Sequence, residues 1–370
     1  MEFSVSKTDF VRELGLTQGV VEKKTTIPIL SNILVETDHD QVWLTATDLE
    51  LGIRCACPAR IKKEGAGTIP ARRLLDYVRL LPDADLQVKL AENQWASFVC
   101  GRSRTRIAGM SRESFPELPQ MPEPLAEIPL SVLSRMVANT IFAISAEESR
   151  FTLNGALLIL KDTGLVMVAT DGHRLAMVEK HTGPSGLTGS YRALLPKKAM
   201  AEIQKLASDD GSKQIEFSGN DNHLFFRLDK RLLLSRKLSG NFPDYERVLP
   251  KEHPHTLVLA REELKAAIER VAQFADERSH AIRLHIVKQE LKVHSSISET
   301  GESEETIPVD FNGPDLEIAF NAQYLLDFLR SVDENEVELH FKDANSAGEL
   351  RPHAAGGDTA YRYVVMPMRI

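Results

Sequence analysis

The residues best suited to chemistry in this 370-residue chain lie in the string Ala169-Thr170-Asp171-Gly172-His173-Arg174. A carboxylate and an imidazole two positions apart would serve there as a general acid/base pair. Groups so close in sequence rarely point at one another, however, and a histidine in an Asp-Gly turn is the commoner arrangement. Cys55-Ala56-Cys57 is the other cluster. Its period of two suits one face of a strand, and no Cys/His pair follows at zinc spacing, so two small buried residues are expected. No G-x-x-x-x-G-K-[ST], H-E-x-x-H or G-x-S-x-G string is present. The chain reads as a binding protein and not an enzyme, with no cofactor and no metal expected.

Binding chemistry is more legible. Chain ends usually fray and are polar, yet Val364-Val365-Met366-Pro367-Met368 is as apolar as a core strand, and Pro367 cannot donate to a ladder. Such a tail suits capture of apolar side chains, and its methionines can repack around different partners. Basic residues recur on the polar sides of the expected helices: Lys7, Arg12, Lys23 and Lys24; Arg72, Arg73 and Arg79; Arg135 and Arg150; Lys197, Lys198 and Lys205; Arg261, Lys265, Arg270 and Arg278; Arg330. Acids are interleaved among them. With 45 basic against 53 acidic residues and a net charge of −8, a tight grip on nucleic acid by phosphate neutralisation is disfavoured. An acidic exterior with a basic lining remains compatible with that balance.

The elements that would position these residues come in repeats. Leu44-Thr45-Ala46-Thr47-Asp48-Leu49 returns as Met167-Val168-Ala169-Thr170-Asp171-Gly172, Ile69-Pro70-Ala71-Arg72 as Leu195-Pro196-Lys197-Lys198, and Ser114-Phe115-Pro116-Glu117 as Asn241-Phe242-Pro243-Asp244. The copies lie about 125 residues apart, a common domain size. A weaker third copy has Leu291-Lys292-Val293-His294-Ser295 as its strand and Ile318-Ala319-Phe320-Asn321-Ala322 at its second helix start. Three tandem α+β domains follow, over 1–120, 128–250 and 254–370, with joints near the proline-rich stretches 116–129 and 250–254.

Within the first copy the pattern predicts a strand over 2–5, a helix opened by Lys7-Thr8-Asp9, a hairpin of 29–37 with 41–46, and a strand over 51–59. A second helix starts at Pro70 with Leu74, Leu75, Val78 and Leu81 on one face, and strands cover 86–90, 95–100 and 103–108. The third copy should carry helices over 261–274 and 322–332. Two helices against many short strands can cover only one face of antiparallel sheets. A chain 42% hydrophobic and 26% charged is ordinary for a globular protein. Lacking a signal peptide or a membrane-length apolar run, with three cysteines, it is expected to be cytoplasmic.

The strings Ala169 to Ala176, Asn241 to Pro250 and Tyr363 to Ile370 together resemble the bacterial DNA polymerase III beta subunit family, the replication sliding clamps. Ile27-Pro28-Ile29-Leu30, Thr47-Asp48-Leu49-Glu50, Pro70-Ala71-Arg72 and Gly101-Arg102-Ser103-Arg104 add matches, so the likeness runs the whole length in order. The resemblance implies three DNA-clamp domains per chain and a head-to-tail homodimer closing into a six-domain ring, with helices lining a hole around duplex DNA. It also implies a groove that captures short motifs of polymerases, of an ATP-driven clamp loader and of mismatch-repair and ligase-type proteins.

Carried over residue by residue, the groove comprises Leu153, Thr170, Gly172, His173, Arg174, Leu175, Pro243, Arg247, Val248, Asn321, Tyr324, Val364, Val365, Met366, Pro367, Met368 and Arg369. DNA would meet Lys24, Arg73, Arg150 and Lys198. Ring closure would set Arg102, Arg104 and Arg106 against Glu299, Glu302, Glu304 and Glu305 of the partner, with Ile107 and Phe274 as apolar neighbours. The Gly-rich stretch 354–358 departs from the family and reads as a longer hairpin turn. A duplicate clamp, for example one tolerant of a clamp-targeting antibiotic, and a non-ring adaptor on the same fold are the alternative readings.

Overall fold

Six α-helices occur among the residues that the computed structural model describes, which are 1–22, 26–147, 149–208, 213–297 (297 as backbone only), 301–353 and 357–369. They are α1 Lys7–Thr17, α2 Ala71–Arg79, α3 Leu130–Ala138, α4 Lys197–Ala207, α5 Arg261–Val271 and α6 Ala322–Ser331. Ser6 caps α1 by accepting from the Asp9 amide, and Phe10, Leu14 and Leu16 are buried on its inner face. Pro70 ends the strand Gly65–Pro70 and is the N-cap of α2, where its missing N–H costs nothing. Leu74, Leu75 and Val78 are the buried face of α2, leaving Arg72, Arg73 and Asp76 to solvent. The helix expected over 261–274 ends at Val271 and tightens into a 3₁₀ turn, Ala272–Phe274. The strand expected over 51–59 runs on to Lys63, because Phe3, Ser4 and Val5 supply partners for its far end.

By compactness the chain divides into Met1–Ser134 with Lys198–Lys237, and Arg135–Lys197 with Leu238–Ile370. This grouping cuts across the sequence repeats for a reason visible in the ladders. In the first unit Leu51–Lys63 pairs with Arg231–Arg236, from Leu51 opposite Ser235 to Arg54 opposite Leu232. One 12-stranded sheet thereby runs from Ser103–Ala108 at its edge to Ala126–Pro129. Glu13, 2% exposed, receives a two-pronged bond from Arg231 (2.6 and 2.9 Å) and one from Arg12 (3.0 Å). A buried carboxylate so paired fixes α1 against the start of Arg231–Arg236. Cys55 and Cys57 are both buried on that sheet.

In the second unit Arg174–Lys180 pairs with Thr359–Val365, placing Leu175 opposite Val364 and Arg174 opposite Val365. This ladder lies in an eight-stranded sheet, accompanied by a four-stranded one whose edge is Gly301–Pro308. On one face of the larger sheet Leu157, Val166, Val168, Leu175, Met177, Leu194 and Val364 pack with Phe242 and Tyr245. Those two aromatic rings hold the connecting segment 242–248 down on the sheet. No helix among the described residues is long and apolar enough to cross a membrane.

Candidate functional site

The Thr170–Arg174 turn is built from its own side chains. Asp171 Oδ1 accepts the amides of His173 (2.9 Å) and Arg174 (3.1 Å), while Thr170 Oγ1 accepts the Gly172 amide and donates to the Arg174 carbonyl. Gly172 sits at φ 91°, where a side chain is strained. The first repeat folds the same way: Asp48 Oδ1 accepts from Glu50 and Leu51, and Thr47 Oγ1 accepts from Leu49 and donates to Leu51. There Leu49 takes the left-handed conformation, at φ 76°. Asp171 is thus occupied by the turn and by Arg174, not poised to move a proton with His173.

Around the Gly172 turn lies an apolar cavity of about 140 Å³, lined by Leu153, Thr170, Gly172, His173, Arg174, Leu175, Pro243, Tyr245, Val248, Val364 and Met366. Ladder register explains why these meet. Leu175 and Val364 are cross-strand partners on one face, whereas Val365, one residue on, turns to the other face and is fully buried. The tail leaves the sheet at Met366, whose amide donates to the His173 carbonyl (2.9 Å), and is tied again where the Met368 amide donates to Ala319 O (2.8 Å). Met366 stays 44% and Val248 46% exposed. These are apolar surfaces left open to solvent at the mouth of an apolar cavity.

Ten of the eleven lining residues are among those expected from sequence; Tyr245 was missed, although it lies inside the string Asn241 to Pro250. Seven expected groove residues fall outside the lining. Arg247 is exposed and paired with Asp244 at 2.7 Å. Asn321 caps α6 and donates to Ser279 O, and the Tyr324 ring stacks on the Arg174 guanidinium at 4.3 Å. Val365 faces away, and Pro367, Met368 and Arg369 continue beyond the cavity.

Arg174 is 9% exposed in its side chain and bonded inward. Its Nε donates to Asp171 Oδ2 (3.1 Å), Nη1 to Asp327 Oδ2 (2.6 Å) and Tyr363 Oη (3.3 Å), and Nη2 to the Phe142 carbonyl (2.6 Å). Burial acts to lower its pKa, but Tyr363 and Asp327 more than offset this and the guanidinium stays charged. Burial likewise pushes up the phenol pKa values of Tyr324 and Tyr363, so both remain neutral donors.

Of the residues assigned to DNA, Lys24 lies outside the described residues. Arg73 projects from the first turn of α2 into solvent. Lys198 opens α4 with its ammonium 3.0 Å from Asp48, a bond that raises its pKa. Arg150 is held at the groove turn, donating to the Asp171 carbonyl (2.9 Å) and pairing with Glu147 (2.8 Å). Of those assigned to self-association, Arg102, Arg104 and Arg106 lie along an edge strand and the turn before it, with Arg106 stacked over Trp95 at 5.0 Å. Ile107 departs from expectation: strand alternation turns it into its own core, 3% exposed, so it offers no apolar surface to another subunit. Glu302 and Glu304 are exposed on the edge strand Gly301–Pro308, and Phe274 is 37% exposed beside Gly301. Glu305 is already paired with Arg270 of its own chain (2.7 Å), and Glu299 lies outside the described residues. Of the Gly-rich stretch, 354–356 lies outside them too; Asp358 pairs with Lys180 (2.6 Å).

Comparison with known proteins agrees along the whole chain. Family models for the DNA polymerase III beta subunit match with the N-terminal domain over residues 1–119, the central domain over 127–244 and the C-terminal domain over 246–369. The beta sliding clamp of Chlamydia pneumoniae is 35% identical over 372 residues, spanning 100% of this chain and 99% of its own length. That of Pseudomonas putida is 35% identical over 378 residues, with 100% of both covered. Among solved structures, sliding clamps bound to griselimycin from Pseudomonas aeruginosa and Bartonella birtlesii each superpose with TM-score 0.93 at 33% identity, covering 100% of both chains.

Proposed function

The chain belongs to the DNA polymerase III beta subunit family, the replication sliding clamps, and from that premise we propose that it encircles duplex DNA as a head-to-tail homodimer and tethers partner proteins through the groove at the Gly172 turn. Three tandem clamp domains make up each subunit, taken from the sequence repeats as 1–120, 128–250 and 254–370, and the protein is a processivity factor, not a catalyst. Two three-domain subunits close a ring when their head-to-tail rotations sum to a full turn. Enclosure, unlike adhesion, needs no strongly basic surface, which accords with a net charge of −8. Arg73 and Lys198 on helix starts would then give weak, mobile phosphate contacts. The edges with Arg102, Arg104 and Arg106 and with Glu302 and Glu304 are complementary in charge and would set the register of closure.

The observation that carries the partner-binding half is the apolar cavity whose wall includes the exposed Met366 and Val248. Burying two apolar anchors contributes about 3–6 kcal/mol, against an association cost of about 4 kcal/mol or more. A few hydrogen bonds, from His173 or Arg150, would leave micromolar, exchangeable binding suited to successive polymerases, a clamp loader and repair proteins. The test is topological. After loading, the protein should stay on nicked circular DNA through a high-salt wash and run off when the circle is cut. Equal retention on circular and linear DNA, or a single subunit at working concentration, would refute enclosure.

A further inference from the structure

We propose that Asp327, on α6, is a positioning residue for the groove, acting through Arg174 to hold the Gly172 turn and the apolar tail in binding geometry. The inference rests on the groove being the partner site. Arg174 was expected to face a bound partner, yet four of its five N–H donors end on Asp171, Asp327, Tyr363 and the Phe142 carbonyl. It therefore serves the groove by holding its wall in place, with its donors spent inside the chain. Among the described residues two carboxylates hold the guanidinium. One, Asp171, belongs to the turn itself. The other, Asp327, lies 153 residues away in sequence and anchors the turn to a helix.

From Asp327 the bonds run to the groove without a break. Asp327 Oδ1 is itself oriented by Gln323 (2.6 Å) one turn earlier on α6. Arg174 lies between the Tyr324 and Phe142 rings, at 4.3 and 5.5 Å, and its Nε steadies the same Asp171 carboxylate that caps the His173 and Arg174 amides. The His173 carbonyl then receives the Met366 amide. A second limb runs through Tyr363, whose hydroxyl donates to Tyr324 O (2.9 Å) and whose ring stacks on Phe328 of α6 at 5.3 Å and 15°. Val364, the neighbour of Tyr363, lines the groove on the opposite face. Without Asp327 the guanidinium loses its only carboxylate on α6, and Asp171 alone must both close the turn and hold the cation. Gly172, His173 and Met366 would then sample other positions, and a partner must select the competent fraction.

The test is a double-mutant cycle on the full-length protein with griselimycin as the probe, read by calorimetry. Asp327→Ala should weaken binding about tenfold, within the range of coupled neighbours, and Asp327→Asn, which keeps an oxygen acceptor, by less. Adding Asp327→Ala to Arg174→Ala should cost nothing further, because the residue acts through Arg174. Hydrogen exchange at the His173 and Met366 amides should quicken in Asp327→Ala while the Leu325–Leu329 amides of α6 stay protected. Wild-type affinity in Asp327→Ala, additive losses in the double variant, or faster exchange spread through α6 would overturn the proposal. If wild-type protein fails to bind griselimycin, as an antibiotic-tolerant clamp would, the groove reading is not refuted, and the exchange measurement alone decides whether Asp327 holds the turn.

Discussion

Glu349 should make the third domain's stability depend on acidity in a window where ordinary surface carboxylates matter little. It is fully buried in the strand Gly348–Pro352 and accepts four hydrogen bonds: from Arg351 (2.7 Å), twice from Arg362 (2.6 and 2.8 Å) and from His253 (2.7 Å). Burial alone would raise its pKa, but Arg362 and Arg351 override this and bring it from 4.5 to about 2. A carboxylate whose folded pKa is depressed stabilises the fold fully above its unfolded value and loses that contribution as pH falls toward the folded one. The difference corresponds to about 3 kcal/mol, present at neutral pH and lost progressively between about pH 4.5 and pH 2. Glu349→Gln removes the charge while keeping the shape, so it should cost about 3 kcal/mol at neutral pH and flatten the pH dependence over that window. The effect should reach the groove, since Glu349 is the ladder partner of Val364, and Arg362 also donates to Pro250 O (3.1 Å) next to the 242–248 segment. Urea unfolding followed by circular dichroism across that pH range measures this directly. Wild-type and Glu349→Gln stabilities that run parallel from neutral pH down to about pH 2 would refute the reasoning.

Gly172→Ala should destabilise the turn by about 1 kcal/mol, since residue 172 sits at φ 91° and a Cβ there would lie 2.9 Å from Arg150 Nη1; urea unfolding checks it, and unchanged stability would contradict the strain. The Cys55 and Cys57 thiols are pushed up by burial and by Glu13, Cys57 to about 12. Both should therefore resist iodoacetamide at neutral pH in the native protein and react once it is unfolded, as mass spectrometry would show. Rapid native labelling would contradict that environment.

Much of the site was readable because its parts are local. Thr170, Asp171 and Gly172 close their turn through bonds within four residues, so the same letters in the first repeat, Thr47-Asp48, predict the same turn and the structure repeats it. The α2 start just after Pro70 and the burial of both Cys55 and Cys57 followed from fixed φ and from period two for the same reason. Ile107 failed the opposite way: family position suggested an exposed neighbour, while strand alternation against its own core buries it. Arg150 and Arg174 stand in strings that the sequence singles out, but the bonds they make depend on partners that no spacing rule connects to them.

By itself the sequence determined the three-fold repetition, the helix starts, the turn chemistry and the apolar tail, because each depends on side chains acting over a few residues or on a periodic pattern. Tertiary structure alone decided that Leu175 faces Val364, that Tyr245 walls the cavity and that Asp327 reaches Arg174 across 153 residues. Strand register and helix placement bring such groups together. Both are set by how the whole sheet packs, so nothing in the neighbourhood of either residue announces the other.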